Sequence, residues 1–405
     1  MQDTSSIGSR LSQARAERGL TQEELAARAG ISAKMVSLIE RGKRTPGIPT
    51  VYALAGALGV QPSRLLDRHD RLASGDREQG IAAVRNALLT LGDLPGLDLG
   101  DDGPALPLAE LERAVDAGWG LYWKGRLGDL AALLPSLLMS ARVTEREDGP
   151  AACRPLAQAY QLAANLMVHM GNDDLAFAGA ARAMRAAARG DDPLQEAILA
   201  GTASWVLLHQ GRLGHAEDVA AAAAARIGPR IGGRAGSEEE ADRHMAHVTV
   251  YGSLLLSASA PAAAAGNADA VAGYMGEAQV AALLFNGPDR HDYNTSFGRS
   301  QMEMQRAHQM TVLRRPDRAL KAAARVLRSD LLPISFGALN VDKAAAHLEK
   351  KDTPAAVEAL LTAHRVSPEW SKHQGLWRSC TAEAVRASRR GSERAEELAT
   401  VAGFR

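Results

Sequence analysis

At 405 residues the chain is too long for one compact core, so two or more units or a repeat array are expected. Lys plus Arg and Asp plus Glu both total 47, but the zero sum is segregated: residues 1–68 carry ten basic and six acidic side chains, a head of +4 against a remainder of −4. A basic head is the electrostatic footprint of a nucleic-acid binder, and two cysteines in no metal-ligand spacing exclude a disulfide scaffold and point to buried thiols in a reducing compartment.

Abundant alanine, 4% aromatics and the lack of strand-type alternation predict an all-α protein. Ile7, Leu11 and Ala14 fall on one face of a first helix ending at Gly19. Thr21-Gln22-Glu23-Glu24 reads as a capping box that opens a second helix, which Gly30 stops. Ser32 is a ready N-cap for a third helix ending near Gly42, and Pro49 and Pro62 suit the first turns of a fourth and a fifth. Leu25, Ala26, Ile31, Val36 and Ile39 are the expected small core of this five-helix head.

Residues 69–80 read as a linker or a helical extension, Gly92–Pro107 as a loop, and Gly228–Gly236 as another irregular stretch. From about residue 108 a degenerate repeat appears: a helix, a turn, and an Ala-rich second helix. The turns are Gly125-Arg126-Leu127, Gly171-Asn172-Asp173, Gly211-Arg212-Leu213, Gly266-Asn267-Ala268, Arg314-Arg315-Pro316 and Lys351-Asp352-Thr353. Small residues follow at matching offsets, including Ala176, Ala216, Ala319 and Ala356. Turn-to-turn spacings scatter above the ~34 residues of a tetratricopeptide unit, so helix-pair repeats with insertions are expected. Such pairs stack into a superhelix with a concave face.

The run from Thr21 through Ser32 to Gly42 resembles the phage-repressor-type helix-turn-helix, the Xre family; Pro46, Leu54-Ala55-Gly56-Ala57-Leu58-Gly59-Val60 and Leu65-Leu66 continue the pattern in one register. The resemblance implies a sequence-specific, DNA-binding transcriptional regulator whose third helix enters the major groove. By the same resemblance Ala33, Lys34, Ser37 and Leu38 hold base-facing positions. Lys34 can donate to guanine O6/N7, and Ala33 or Leu38 can pack on a thymine methyl. Gln22 matches the family's phosphate-anchoring glutamine, helped by a positive helix end. Arg10, Ser32, Arg41, Lys43 and Arg44 are the further phosphate candidates, and Arg15 and Glu40 match a structural ion pair. Ala33 and Leu38 stand where the family often has polar readers, so base preference rests on Lys34 and Ser37.

Residues 81–405 resemble the tetratricopeptide-like sensor halves of peptide-responsive and other Xre regulators, in particular a large Ala/Arg-rich actinobacterial type. That resemblance implies a homodimer on a palindromic double-stranded DNA operator, with a peptide, small molecule or protein on the concave face. Asn165, His169, His209, Asn294, Arg299 and Asn340 are ligand candidates on first helices of repeats; solvated positions or helix caps are the alternative for each. A body that docks a protein partner, and a scaffold whose head no longer binds DNA, are the rival readings.

Other features read as structural. His244 and His247 share a helix face without a third ligand, and His364, His373 and Cys380 are too widely spaced for a metal site. Trp119, Tyr122 and Trp123 read as core of the first repeat rather than a ligand cage. Gly232-Gly233-Arg234-Ala235-Gly236 lacks the ending of a phosphate loop, and Glu238-Glu239-Glu240 suits a helix first turn. No nucleophile–base–acid spacing is present, so neither an enzyme nor a cofactor is expected. Met1–Ser6 has no apolar leader segment and no apolar run spans a bilayer, so a cytoplasmic, nucleoid-associated protein without a membrane partner is expected.

Overall fold

The computed structural model describes residues 7–44, 46–65, 75–90, 104–228, 237–389 and 391–403. The expected leader-free start, the 92–107 loop, the 228–236 stretch and the front of the 69–80 linker lie wholly or mostly outside them. Among the described residues the chain is helical, and the only strand-like pairing is an isolated bridge between Arg290 and Phe297.

The head comprises α1 (Ile7–Glu17), α2 (Gln22–Ala29), α3 (Ala33–Glu40), α4 (Ile48–Leu58) and α5 (Pro62–Leu65). Its boundaries follow from local chemistry. The Thr21 hydroxyl accepts from the Glu24 N–H at 3.1 Å, and the Glu24 carboxylate accepts from the Thr21 N–H at 2.8 Å. That reciprocal bonding holds the Glu24 carboxyl below its usual range. Gly30 ends α2 at φ 64, a left-handed value cheap only for glycine, and Ser32 caps α3 through the Met35 N–H at 3.2 Å. Leu11, Leu25, Val36, Ile39, Leu54 and Leu58 bury the helices against one another, with Ile31 at the edge of that core. Gly8 on α1 lies so close to α3 that a methyl group there would overlap the carbonyl oxygens of Ile39 and Glu40.

α6 (Gly75–Leu88) makes the second half of the 69–80 stretch helical. Among the described residues, six helix pairs follow. The first three are α7 (Leu108–Trp123) with α8 (Leu127–Asp148), α9 (Cys153–His169) with α10 (Asp173–Ala187), and α11 (Pro193–His209) with α12 (Leu213–Ile227). The next are α13 (Glu238–Ala264) with α14 (Ala268–Ala282), α15 (Arg299–Val312) with α16 (Pro316–Ala323), and α17 (Pro333–Glu349) with α18 (Thr353–Val366). α19 (Pro368–His373), α20 (Gly375–Ala387) and α21 (Glu393–Ala402) come last.

All six turns carry a left-handed residue at the same place: Gly125, Gly171, Gly211, Gly266, Arg314 and Lys351, at φ between 57 and 79. In each, the following N–H reaches back to the carbonyl five residues earlier at 2.8–3.0 Å, satisfying helix-end acceptors. The residue five after the turn is buried in every pair: Leu130, Ala176, Ala216, Val271, Ala319 and Ala356. Ser237 caps α13 with Glu238, Glu239 and Glu240 in its first turn, as the sequence suggests.

The array closes on itself. One core joins α6–α10 to α17, α18, α20 and α21, through residues such as Val84, Leu130, Leu162, Ile334, Leu360 and Trp377. The Glu369 carboxylate accepts from the Gly128 N–H at 3.0 Å, and Gly125 lies against Trp370 and Ile334. Both cysteines are buried and unpaired, and burial pushes the Cys380 thiol upward. Within Leu127–His169 one stretch is long and apolar enough to cross a membrane, against the expectation of none; half of it is buried in this body. The 3-10 turn Gly149–Ala152 separates α8 from α9 within that span.

Candidate nucleic-acid interface and internal cavity

The third helix presents its N-terminal turn outward. Ser32 and Lys34 are exposed in the whole chain, and Ala33, Ser37 and Leu38 are partly exposed beside them. Arg41, Gly42, Lys43 and Arg44 continue the exposed surface as a basic turn. The Leu38 carbonyl accepts from the N–H groups of Lys43 at 2.9 Å and Arg44 at 3.2 Å, so that turn is pinned to the end of α3. Arg41 is braced by its own helix, its Nε donating to the Ser37 carbonyl at 3.1 Å. Such an arrangement can set a lysine and small groups against base edges while cations meet flanking phosphates.

Glu40 organises the back of this surface. Arg15 donates to it from Nε at 2.7 Å and from a terminal nitrogen at 3.1 Å, and also to the Leu20 carbonyl at 2.8 Å. The hydrogen bond to Glu40 raises the Arg15 pKa against the cost of burial. Gln22 donates an amide hydrogen to the same carboxylate at 2.7 Å. One of the two amide hydrogens of Gln22 is therefore spent inside the head, leaving the other and the helix-end N–H groups for phosphate. Arg10 departs further from the expected clamp, because its Nε donates to the Leu65 carbonyl at 3.0 Å and ties α1 to α5.

The opposite side of the head rests on the body. Gly47 lies against the Arg314 side chain, Gly211 against Pro62 and Tyr52, and the Gln61 amide donates to Asp174 at 3.2 Å. Where they meet, a cavity of about 440 Å³ opens, lined from the head by Ile7, Pro46, Val51 and Tyr52. On the body side a run of rings crosses three first helices. Tyr122 lies 5.7 Å from His169, His169 lies 5.2 Å from Trp205, and Trp205 lies 5.2 Å from His209. The Tyr122 hydroxyl is 3.3 Å from His169 Nε2, and the Gln374 amide is 3.1 Å from its Nδ1. Across the cavity His308 Nδ1 meets Asp342 at 3.0 Å. Burial works against the charged imidazole, but the attraction of and hydrogen bond to Asp342 prevail and hold its pKa above the usual histidine value.

Of the expected ligand residues, only His169 and His209 line this cavity. Asn165 and Asn340 are on first helices but buried in the packing; the Asn340 amide donates to the Phe336 carbonyl of its own helix at 2.8 Å. Asn294 is not on a helix at all. It holds a left-handed conformation at φ 56 in the loop before α15, where a short polar side chain is tolerated. Arg299, the first residue of α15, is exposed outside the cavity. His247, which shares a helix face with His244, is buried, its Nε2 on the Gly228 carbonyl at 3.0 Å. Trp119 and Tyr122 are core as expected, yet Tyr122 also reaches the cavity wall. His364 stacks on Trp377 at 5.7 Å and bonds Ser371 at 3.0 Å.

Sequence reasoning missed Trp205, His308, Asp342, Gln301 and Tyr52. A register counted from the turns finds part of the set. Trp205, Ala260 and His308 each stand six residues before a left-handed turn residue, and His169, His209, Ala264 and Val312 stand two before one.

Comparison with known proteins agrees with the head. A helix-turn-helix family model matches residues 11–65. An HTH-type transcriptional regulator, y4dJ, of Sinorhizobium fredii is 45% identical over 71 residues, 18% of this chain and 92% of that protein. The immunity repressor protein of Bacillus phage phi105 is 42% identical over 60 residues, 15% of this chain and 42% of its own length. Among solved structures, PlcR of Bacillus thuringiensis in complex with the peptide PapR7 and DNA is 13% identical, with a TM-score of 0.27 over 89% of this chain and 94% of that one. An overlay that loose places no ligand here.

Proposed function

The chain belongs to the helix-turn-helix transcriptional regulators, and from that premise we propose that it reads a palindromic operator as a homodimer and senses a signal through its helical body. In this reading residues 1–68 bind DNA, 81–405 sense and dimerise, and 69–80 connect them. Lys34 and Ser37 read base edges, with Ala33 and Leu38 packing beside them. Lys43, Arg44, Arg41, Ser32 and Gln22 hold phosphates, and Arg10, Arg15 and Glu40 brace the head.

The observation that carries the reading is the orientation of the head. Its α4–α5 side rests on the body while Ser32, Lys34, Lys43 and Arg44 remain exposed. A ligand that binds the docked and undocked arrangements unequally shifts DNA affinity by that difference and no more. Selection from a pool of random duplexes tests the proposal. Enrichment of an inverted repeat with half-site centres about 34 Å apart is expected. A pool that stays random after repeated rounds contradicts it, and a single unrepeated site contradicts the dimer.

A further inference from the structure

We propose that the cavity between head and body binds one uncharged, mainly apolar aromatic small molecule bearing a hydrogen-bond donor, rather than a peptide or an anion. The inference deepens the sensing reading above and rests on it. A volume of about 440 Å³ suits a compact ligand of drug-like size. Trp205, Trp370, Ile334, Leu208 and Val341 supply broad apolar walls.

Charge argues for neutrality. Among the described residues no lysine or arginine lines the cavity, and the one carboxylate among them, Asp342, is already engaged by His308. An anionic ligand would lose its hydration without gaining a free cation, a cost of several kcal/mol. A cationic one would find the cavity's carboxylate, Asp342, already bonded to His308. The donor requirement comes from Gln301, which lines the cavity and whose Oε1 is buried without a hydrogen-bond partner. Such an acceptor is normally satisfied, and a ligand O–H or N–H would do it.

A peptide fits poorly. Clamping an extended backbone takes a series of side-chain amides along a groove; of the three glutamines lining this space Gln374 is already bonded to His169, while Asn165 and Asn340 are packed away and Asn294 does not line it. Because Ile7, Val51 and Tyr52 of the head line the same space, an occupant touches α1 and α4 directly. No relay through the repeats is required.

Two probes with one ring skeleton separate the alternatives: uncharged N-phenyl-1-naphthylamine and anionic 1-anilinonaphthalene-8-sulfonate, each titrated into the full chain by fluorescence. One equivalent of the neutral probe is expected to bind, with the sulfonate at least about tenfold weaker. Ala260→Trp and Ala338→Trp fill the space from α13 and α17; either folded variant should abolish neutral-probe binding. No binding, equal binding of the two probes, or binding indifferent to both variants overturns the proposal. The same variants are then assayed on operator DNA with small-molecule cell extract. An extract that shifts the affinity of wild type and filled variants alike overturns the cavity assignment while leaving the sensing reading intact. Cavity binding of the neutral probe, with no extract or probe altering DNA affinity, supports the binding chemistry and counts against sensing.

Discussion

Lys34 and Lys43 are both exposed cations at one end of the head, and the proposed function gives them different work. Lys34 stands on the first turn of α3 and Lys43 on the turn beyond it; in the proposed reading the first meets a base edge and the second a phosphate. Lys34→Ala is therefore expected to lose about 1–3 kcal/mol of discrimination between operator and mutated operator. Lys43→Ala should weaken binding to both alike and lower the salt slope by about 1. Competition anisotropy at two salt concentrations separates the two effects. His308 sets a second expectation. Because Asp342 raises its folded pKa, its contribution to stability is complete below the unfolded value of about 6.5 and is lost as pH rises through the folded value. The difference in melting temperature between wild type and His308→Gln should thus be largest in mild acid and shrink toward alkaline pH. A gap that widens with pH would show that the Asp342 contact does not stabilise the charged ring.

The helices and turns of the head were legible because their signals are local: a capping box, a left-handed glycine and an N-cap serine each act within four residues. The partners of Arg10 and Gln22 were not, since Leu65 and Glu40 lie 55 and 18 residues away. Among the repeats, the glycine turns announced themselves. Arg314 and Lys351 take the same left-handed conformation without glycine, so the turn there follows from the flanking helices rather than from residue preference. The turns also differ in what surrounds them. A methyl group at Gly266 meets nothing, whereas one at Gly125 meets Trp370 Cβ at 3.0 Å and Ile334 Cγ2 at 3.1 Å. Gly266→Ala should cost about 1–2 kcal/mol from the left-handed backbone alone, and Gly125→Ala about 1–3 kcal/mol more from overpacking. Denaturant midpoints of the two variants check the order; equal losses would mean that the first repeat does not pack tightly on α19.

At the scale of the molecule, an all-helical chain with a basic head and a repeat body could be read from composition and spacing. Closure of the array could not. The contact between Gly128 and Glu369 spans 241 residues and leaves no periodic trace. Closure adds walls from α17, α19 and α20 to what an open superhelix would leave as a groove. The expected asparagines missed the cavity because a choice by residue type ignores local packing: Asn165 stands six residues before Gly171, as Trp205 does before Gly211, yet is buried in the packing, and Asn340 bonds within its own helix. The docked head then covers part of this space, which is how a body remote from α3 comes to touch the unit that carries it. DNA recognition is the premise of the regulatory and sensing proposals. Its most direct test is the affinity of the full chain for DNA from upstream of its own gene against a shuffled duplex, near physiological salt. A preference of about 10³-fold or more is expected of a specific regulator; equal, salt-labile binding to both, with and without cell extract, would contradict it.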